Sequence, residues 1–324
     1  MLVRSKYVLS GLALTLVLAC ASFEPAAAGP RWGADYFPNV PLTTQDGKVV
    51  HFYDDLLKGK VVAIDMIYTH CVDSCPLETA RLAQAQKLLG DRVGKKIFFY
   101  SITLDPKRDT PEALKAYAEK YHAGPGWLFL TGKPADIDLL SKKLGLYSDP
   151  DAGNRDGHTP ILLLGDEAAG QWMKNSAVEN PKFLSMLIEH FMGEYNDGPG
   201  GGPNYAQASE IHVNSGEYLF ATRCSACHTV GQGDKIGPDL IGISQQRNHE
   251  WLSRFIATPD KLLEENDPIA VALFAKYKQV QMPNLRLNPA QTEAILGYIQ
   301  QKSEASNQNS FSGGIPALAA DSNR

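Results

Sequence analysis

The sequence has no dense run of lysine or arginine, no internal repeat, and only five cysteines in 324 residues. Without a basic cluster or stripe, nucleic acid is argued against as a partner. A net charge of -5 says little more than that the surface is mildly acidic. With 44% hydrophobic and 21% charged residues, the composition is that of an ordinary globular protein, and the length suggests about two domains. The five cysteines are Cys20, Cys71, Cys75, Cys224 and Cys227. Four fall into two close pairs, so only Cys20 needs a separate explanation.

The N-terminus supplies one. Arg4 and Lys6 precede an apolar stretch from Val8 to Ala19, the layout of an export signal. That stretch is shorter than the roughly 20 residues of a membrane span. Counted from Tyr7 to Phe23 it is longer, so an uncleaved anchor stays open. The stretch ends Val17-Leu18-Ala19-Cys20, which resembles a bacterial lipobox, with Leu18 as the unusual residue. Cleavage before Cys20 and lipidation on it would leave 1–20 as the signal. It would also leave a periplasmic protein held firmly to a membrane. Ordinary cleavage after Ala26-Ala27-Ala28, with loss of Cys20, is the competing reading.

Residues 21 to 31 read as a tether. A first domain spans 32–195, a Gly/Pro linker 196–208, and a second domain 209–302. A tail at 303–324, rich in Ser, Asn, Gly and Ala, is expected to be disordered. In Asn196 to Asn204, four glycines and two prolines among nine residues rule out regular packing. The first domain alternates apolar runs at Val61–Tyr68, Ile97–Thr103, Trp127–Leu130 and Ile161–Leu164 with helical patterns. These begin at Pro76, after Asp109-Thr110-Pro111-Glu112, at Ala135 and at Pro181. Strands separated by helices predict an α/β layered sheet. Helical patterns at Ser215–Ala226, His249–Ala257, Asp267–Lys278 and Pro289–Lys302 predict that the second domain is a small all-α unit.

Cys224-Ser-Ala-Cys227-His228 is the C-x-x-C-H pattern of covalent haem attachment. Two thiols a helical turn apart can each add to a vinyl group, and the following His lies under the iron. Gly216 and Phe220 precede the motif. Gly237-Pro238-Asp239-Leu240 and Gln281-Met282-Pro283-Asn284 follow it. From about Ser209 to Lys302 the segment resembles a class I cytochrome c. That resemblance implies haem c on Cys224 and Cys227, His228 as proximal ligand and Met282 as distal ligand, with Pro238 packed on the proximal side. Met282 is also the only Met of this domain, and neither His212 nor His249 lies in a comparable loop. His/Met ligation gives a high-potential haem suited to electron transfer.

Cys71-Val-Asp-Ser-Cys75 places two thiols at i and i+4 near a predicted helix N-terminus, where the dipole favours thiolates. Soft thiolates select copper, zinc or iron–sulfur centres and want a further ligand. Alone, the spacing is a weak signal that also fits a structural disulfide. Three blocks occur in order: Tyr68-Thr-His-Cys71-Val-Asp-Ser-Cys75-Pro76, Leu104-Asp-Pro-Lys-Arg-Asp-Thr-Pro-Glu112, and Gly157-His158-Thr159. Together they resemble the Sco/SenC family, thioredoxin-fold copper proteins involved in assembling cytochrome oxidase. The resemblance covers about Pro38 to Phe191. It implies copper on Cys71, Cys75 and His158, and a respiratory oxidase subunit or other copper acceptor as partner. The family usually has Asp directly before this His, where Gly157 stands here. His70, beside Cys71, is the competing imidazole, and Met66 reads as core.

The expected function is an exported copper chaperone with a haem domain for electron transfer. The alternative is a thiol–disulfide oxidoreductase that uses Cys71 and Cys75 as a redox-active pair and passes electrons to the haem or to other redox proteins. A third reading makes the first domain only a docking module for an electron carrier. Haem and copper both move one electron, whereas a disulfide needs two. A high-potential haem is a poor disulfide reductant: a gap of about 300 mV over two electrons opposes the step by on the order of 14 kcal/mol.

Overall fold

The computed structural model describes residues 32–147, 158–194 and 214–312, with side chains through residue 306. The proposed signal and tether, the linker and the last residues lie outside the described residues. The first domain is built on a mixed sheet of seven strands: β1 (Pro41–Thr44), β2 (Val49–His51), β3 (Val61–Ile67), β4 (Ile97–Thr103), β5 (Trp127–Gly132), β6 (Ile161–Asp166) and β7 (Gln171–Ser176). Their order is β2-β1-β5-β4-β3-β6-β7. The central β5-β4-β3 trio is parallel, and β1 and β6 run antiparallel to it. Helices α1 (Cys75–Leu89) and α2 (Pro111–Lys120) form the crossovers between the parallel strands, and α3 (Pro134–Leu144) and α4 (Pro181–Phe191) follow β5 and β7.

Strand alternation divides the core. Val62, Ile64 and Met66 of β3 face one layer, with Phe52, Leu57, Ile137 and Leu140. Ala63 and Ile67 face the other, with Leu77, Leu82, Leu114, Leu184 and Ile188 from α1, α2 and α4. The same alternation sends buried Asp65 toward the α1 layer. A carboxylate in that position conflicts with an apolar core and points to a polar centre nearby. Helix α2 opens with Thr110, whose hydroxyl accepts from the Ala113 N–H, and Pro111 follows it. Asp109, in the capping block of the sequence, instead ties two strand ends together by accepting from Thr69 and Thr103.

The second domain is helical: α5 (Ser215–Leu219), running into a π-helical turn at Phe220–Cys224, then α6 (Ile243–Gln246), α7 (His249–Ala257), α8 (Pro259–Glu264), α9 (Pro268–Lys276) and α10 (Pro289–Ser312). Asn214, Asn248 and Asp267 cap α5, α7 and α9 by accepting backbone N–H groups. The last helix continues to Ser312 rather than ending at Lys302, so the first part of the expected disordered tail is helical. Buried Ser303 anchors it by accepting from the Gly242 N–H and donating to Ile299 O. Helices α5 and α10 cross at Gly216. A Cβ there would meet the Ala294 carbonyl oxygen at 2.0 Å. Gly216→Ala is therefore expected to push the two helices apart and cost roughly 1–3 kcal/mol, read as a lower denaturation midpoint for the haem domain.

Candidate metal and haem sites

The polar centre that Asp65 announces sits at the carboxyl end of β3. Cys71 lies in the loop after that strand, Cys75 opens α1, and His158 precedes β6, the antiparallel neighbour of β3. The sheet thus brings together residues more than 80 positions apart. Both thiols are free, and one donor atom each from Cys71, Cys75 and His158 lies within 4.8 Å of the others. All three residues are buried. Cys75 Sγ is 3.5 Å from His158 Nδ1, and Ser74 Oγ is 3.2 Å from the same nitrogen. The other ring nitrogen, Nε2, is 3.1 Å from Glu78 Oε2.

Glu78 is the functional residue that sequence reading missed. It lies three residues after Cys75, on the same face of α1, and is fully buried. A charged residue on that face was the available signal. Its carboxylate stands beside the imidazole Nε2. Asp156 and Gly157 lie outside the described residues. A carboxylate behind a ligand imidazole fixes its tautomer and orientation and raises its basicity. Here Nδ1 is left as the ring nitrogen nearer to Cys75 Sγ, at 3.5 Å against 3.9 Å for Nε2.

The electrostatics agree with the geometry. The Cys75 thiol beside it lowers Cys71 to about 4, against the cost of burial and with help from His158. Burial pushes Cys75 well up. Burial alone would lower His158, but Glu78 and Cys71 outweigh it and hold the imidazole well above its usual value. Burial raises Glu78, and burial with Glu78 nearby raises Asp65 to about 7. Four acidic groups thus share one buried space with a single basic one. Asp65 Oδ2 and Glu78 Oε1 have no hydrogen-bond donor among the described residues. Excess negative charge, two sulfurs and an oriented imidazole fit a soft cation. His70 points elsewhere: its Nε2 is 3.5 Å from Asp105, and its Nδ1 is 4.0 Å from buried Asp109. Met66 is buried in the opposite core layer.

In the second domain, Cys224, Cys227, His228, Pro238 and Met282 line one cavity of about 310 Å³. Its remaining walls are largely apolar, from Leu252, Leu273 and Ile295 among others. Gly237 packs on the His228 ring so closely that a Cβ would meet Cε1 at 2.6 Å. His228 Nδ1 lies 2.9 Å from Pro238 O, which fixes that nitrogen as the donor and leaves Nε2 as the free ligand atom. Burial keeps this imidazole below its usual pKa and hence neutral, as a ligand must be. The attachment thiols, the oriented imidazole and the thioether on one apolar cavity fit haem c.

The Glu78 contact makes a separable prediction. Glu78→Gln keeps the side-chain volume but removes the charge that orients and activates His158. Metal affinity is expected to fall on the order of 10–100-fold, with the stoichiometry retained; a competitive chelator titration reads it. Unchanged affinity would leave Glu78 a purely structural residue.

The SCO1/SenC family model matches residues 33–190, and the cytochrome c model matches residues 213–303. A SCO2-like protein of Rickettsia conorii is 30% identical over 193 residues, which cover 55% of this chain and 89% of that protein. The SCO1 protein homolog of Bacillus subtilis is 39% identical over 152 residues, 45% of this chain and 76% of that protein. A solved structure of Bradyrhizobium japonicum ScoI with copper bound is 28% identical. It covers 48% of this chain and 99% of that one, with a TM-score of 0.40. The chain belongs to the SCO1/SenC family, with a thioredoxin-like domain that is followed by a cytochrome c domain.

Proposed function

We propose that the protein is an exported copper chaperone for the assembly of a respiratory oxidase, with a haem domain that exchanges electrons. The observation that carries this reading is the buried meeting of Cys71, Cys75 and His158 within 4.8 Å, with Glu78 behind the imidazole. Thiolates suit cuprous ion and imidazole suits both copper states, so the donor set can hold the cargo through a change of charge. Loading releases protons from Cys75 and from His158, and the carboxylates beside them offset the positive charge that arrives. The copper acceptor would be a site with comparably soft ligands on an oxidase subunit.

In the second domain, His228 and Met282 would ligate haem iron, and Cys224 and Cys227 would hold its edge. Held by a histidine and a methionine together, the group would supply one-electron transfer rather than substrate chemistry. The chain's own contribution is to hold the proximal imidazole neutral and aimed by Pro238 O and to line the cavity with apolar side chains.

One observation favours a second reading. The low Cys71 thiolate beside a protonated Cys75 is the asymmetry of a disulfide-exchange pair. Against it, Cys71 is buried, which restricts attack on a partner's disulfide. Copper binding separates the two. The haem-loaded full chain is expected to bind one cuprous ion. Cys71→Ser, Cys75→Ser or His158→Ala should abolish stoichiometric binding without lowering haem content. Retained binding in any of the three would remove that residue from the site. Export and anchoring belong to the same proposal. Mature protein from the native envelope is expected to begin at Cys20 with the mass of attached acyl chains, read by intact mass spectrometry. A start after Ala28 would replace the lipid anchor with a cleaved signal.

A further inference from the structure

The two sites do not sit on remote ends of the molecule. The Asn284 N–H donates to the Val72 carbonyl at 2.8 Å, across the domain boundary. Val72 directly follows Cys71, and Asn284 lies two residues after Met282. The contact is braced on both sides. The Asn284 side chain donates to Asp260 at 2.8 Å and accepts from the Arg286 N–H at 3.0 Å. Arg286 also pairs with Asp73, inside the Cys71–Cys75 loop, at 3.4 Å.

A second contact joins the other ligand segments. Helix α1, which begins at Cys75, sends Arg81 to the Ala221 carbonyl at 2.6 Å and Gln84 to the Ala226 carbonyl at 3.0 Å. The first carbonyl lies three residues before the haem-attachment motif and the second lies within it. Cys227, Ile236, Val280 and Leu285 pack against the first domain's core. The loops of Cys71 and Gln281 line one small cavity between the domains. The Cys71 segment therefore touches the Met282 segment, and the helix that begins at Cys75 touches the haem-attachment segment.

Resting on the copper reading above, we propose that the Val72–Asn284 hydrogen bond is an intramolecular electron-transfer contact between the sulfur site and the haem ligand Met282. Electron transfer weakens steeply with distance and passes better through bonds than through gaps. This contact replaces an open gap with backbone from Cys71 to Val72, one hydrogen bond, and backbone from Asn284 to Met282. In the step, cuprous copper gives up one electron and becomes cupric, and ferric haem takes it and becomes ferrous. No bond forms or breaks and no proton has to move. The haem domain would thereby set the oxidation state in which copper is held or handed on.

The test uses the full-length ferric haem protein, mixed without oxygen with one equivalent of cuprous ion, with haem reduction followed by its visible spectrum. Reduction is expected in a first-order phase whose rate does not depend on protein concentration. Combining Arg286→Glu, which sets a carboxylate against Asp73, with Gln84→Ala should abolish that phase. Copper stoichiometry and the ferric haem spectrum should stay as in the parent. Adding Asp73→Lys should restore the phase by re-forming the ion pair. Independently of electron flow, backbone amide exchange at Asn284 should be slow in the parent and fast in the loosened variant. A parent rate proportional to protein concentration, or a loosened variant that keeps the phase while Asn284 exchanges freely, would overturn the contact alone. Protein that binds no copper would overturn the functional reading and this proposal with it, and the titration shows that separately.

Discussion

The structure turns on a charge imbalance. One imidazole is buried among Glu78, Asp65, Cys71 and Cys75, all of which can carry negative charge. Taking an ion out of water costs several kcal/mol even after relaxation, and pairing offsets it only with good geometry. His158 can pair with Glu78 and stabilise the Cys71 thiolate, but it cannot neutralise four acids. Burial, the largest cause, displaces Asp65, Glu78 and Cys75 upward, and the negative charge of their neighbours adds to it. A cation entering between the sulfurs and Nδ1 relieves that imbalance. An uncharged disulfide relieves less of it, because Asp65 and Glu78 remain.

The same helix that carries this imbalance also docks the second domain. Along α1, Cys75 and Glu78 face the metal site, and Arg81 and Gln84 reach across the boundary. The half-exposed Asp73–Arg286 pair contributes no more than about 1 kcal/mol, so it positions the loop at Val72 against Asn284 rather than supplying the strength of the docking. The buried Arg81 guanidinium is the stronger polar tie. Desolvation lowers its pKa, but a guanidinium keeps its charge in proteins, and a hydrogen bond from a charged donor contributes about 1.5–3 kcal/mol. Apolar packing of Val280, Leu285 and Ile236 adds non-directional attraction. The polar contacts then select which faces meet.

What could be read from the sequence follows the range over which each signal acts. Buried strands β3 and β4 announced themselves as apolar runs, and the haem attachment motif is complete within five residues. Short or edge strands did not: β1 has four residues, β2 has three, and β7 (QWMKNS) is largely polar and half exposed. His158 joins Cys71 and Cys75 only through sheet pairing, which no local pattern encodes, so the three-block resemblance had to supply it. Glu78 was hidden differently. A lone Glu in a helix is normally a solvated residue, and only its burial beneath His158 reveals its role. The continuation of α10 past Lys302 was hidden by composition. Ser and Asn are weak helix formers, and the contact from Gly242 to Ser303 overrides that preference.

The two domains also match in the number of electrons each site can pass. A thiol pair passing to a disulfide releases two electrons, so one haem would be left with a half-oxidised partner until a second acceptor arrived. Copper held by two sulfurs and an imidazole changes by one electron, as haem iron does. The docking also opposes disulfide exchange: Cys71 is buried, and its loop is pinned through Val72 and Asp73 to the segment after Met282. An incoming disulfide would have to displace that segment to reach the sulfur, whereas a single electron needs no such opening. Stoichiometry and steric access thus favour the same partner for the haem, a metal ion seated in the sulfur site.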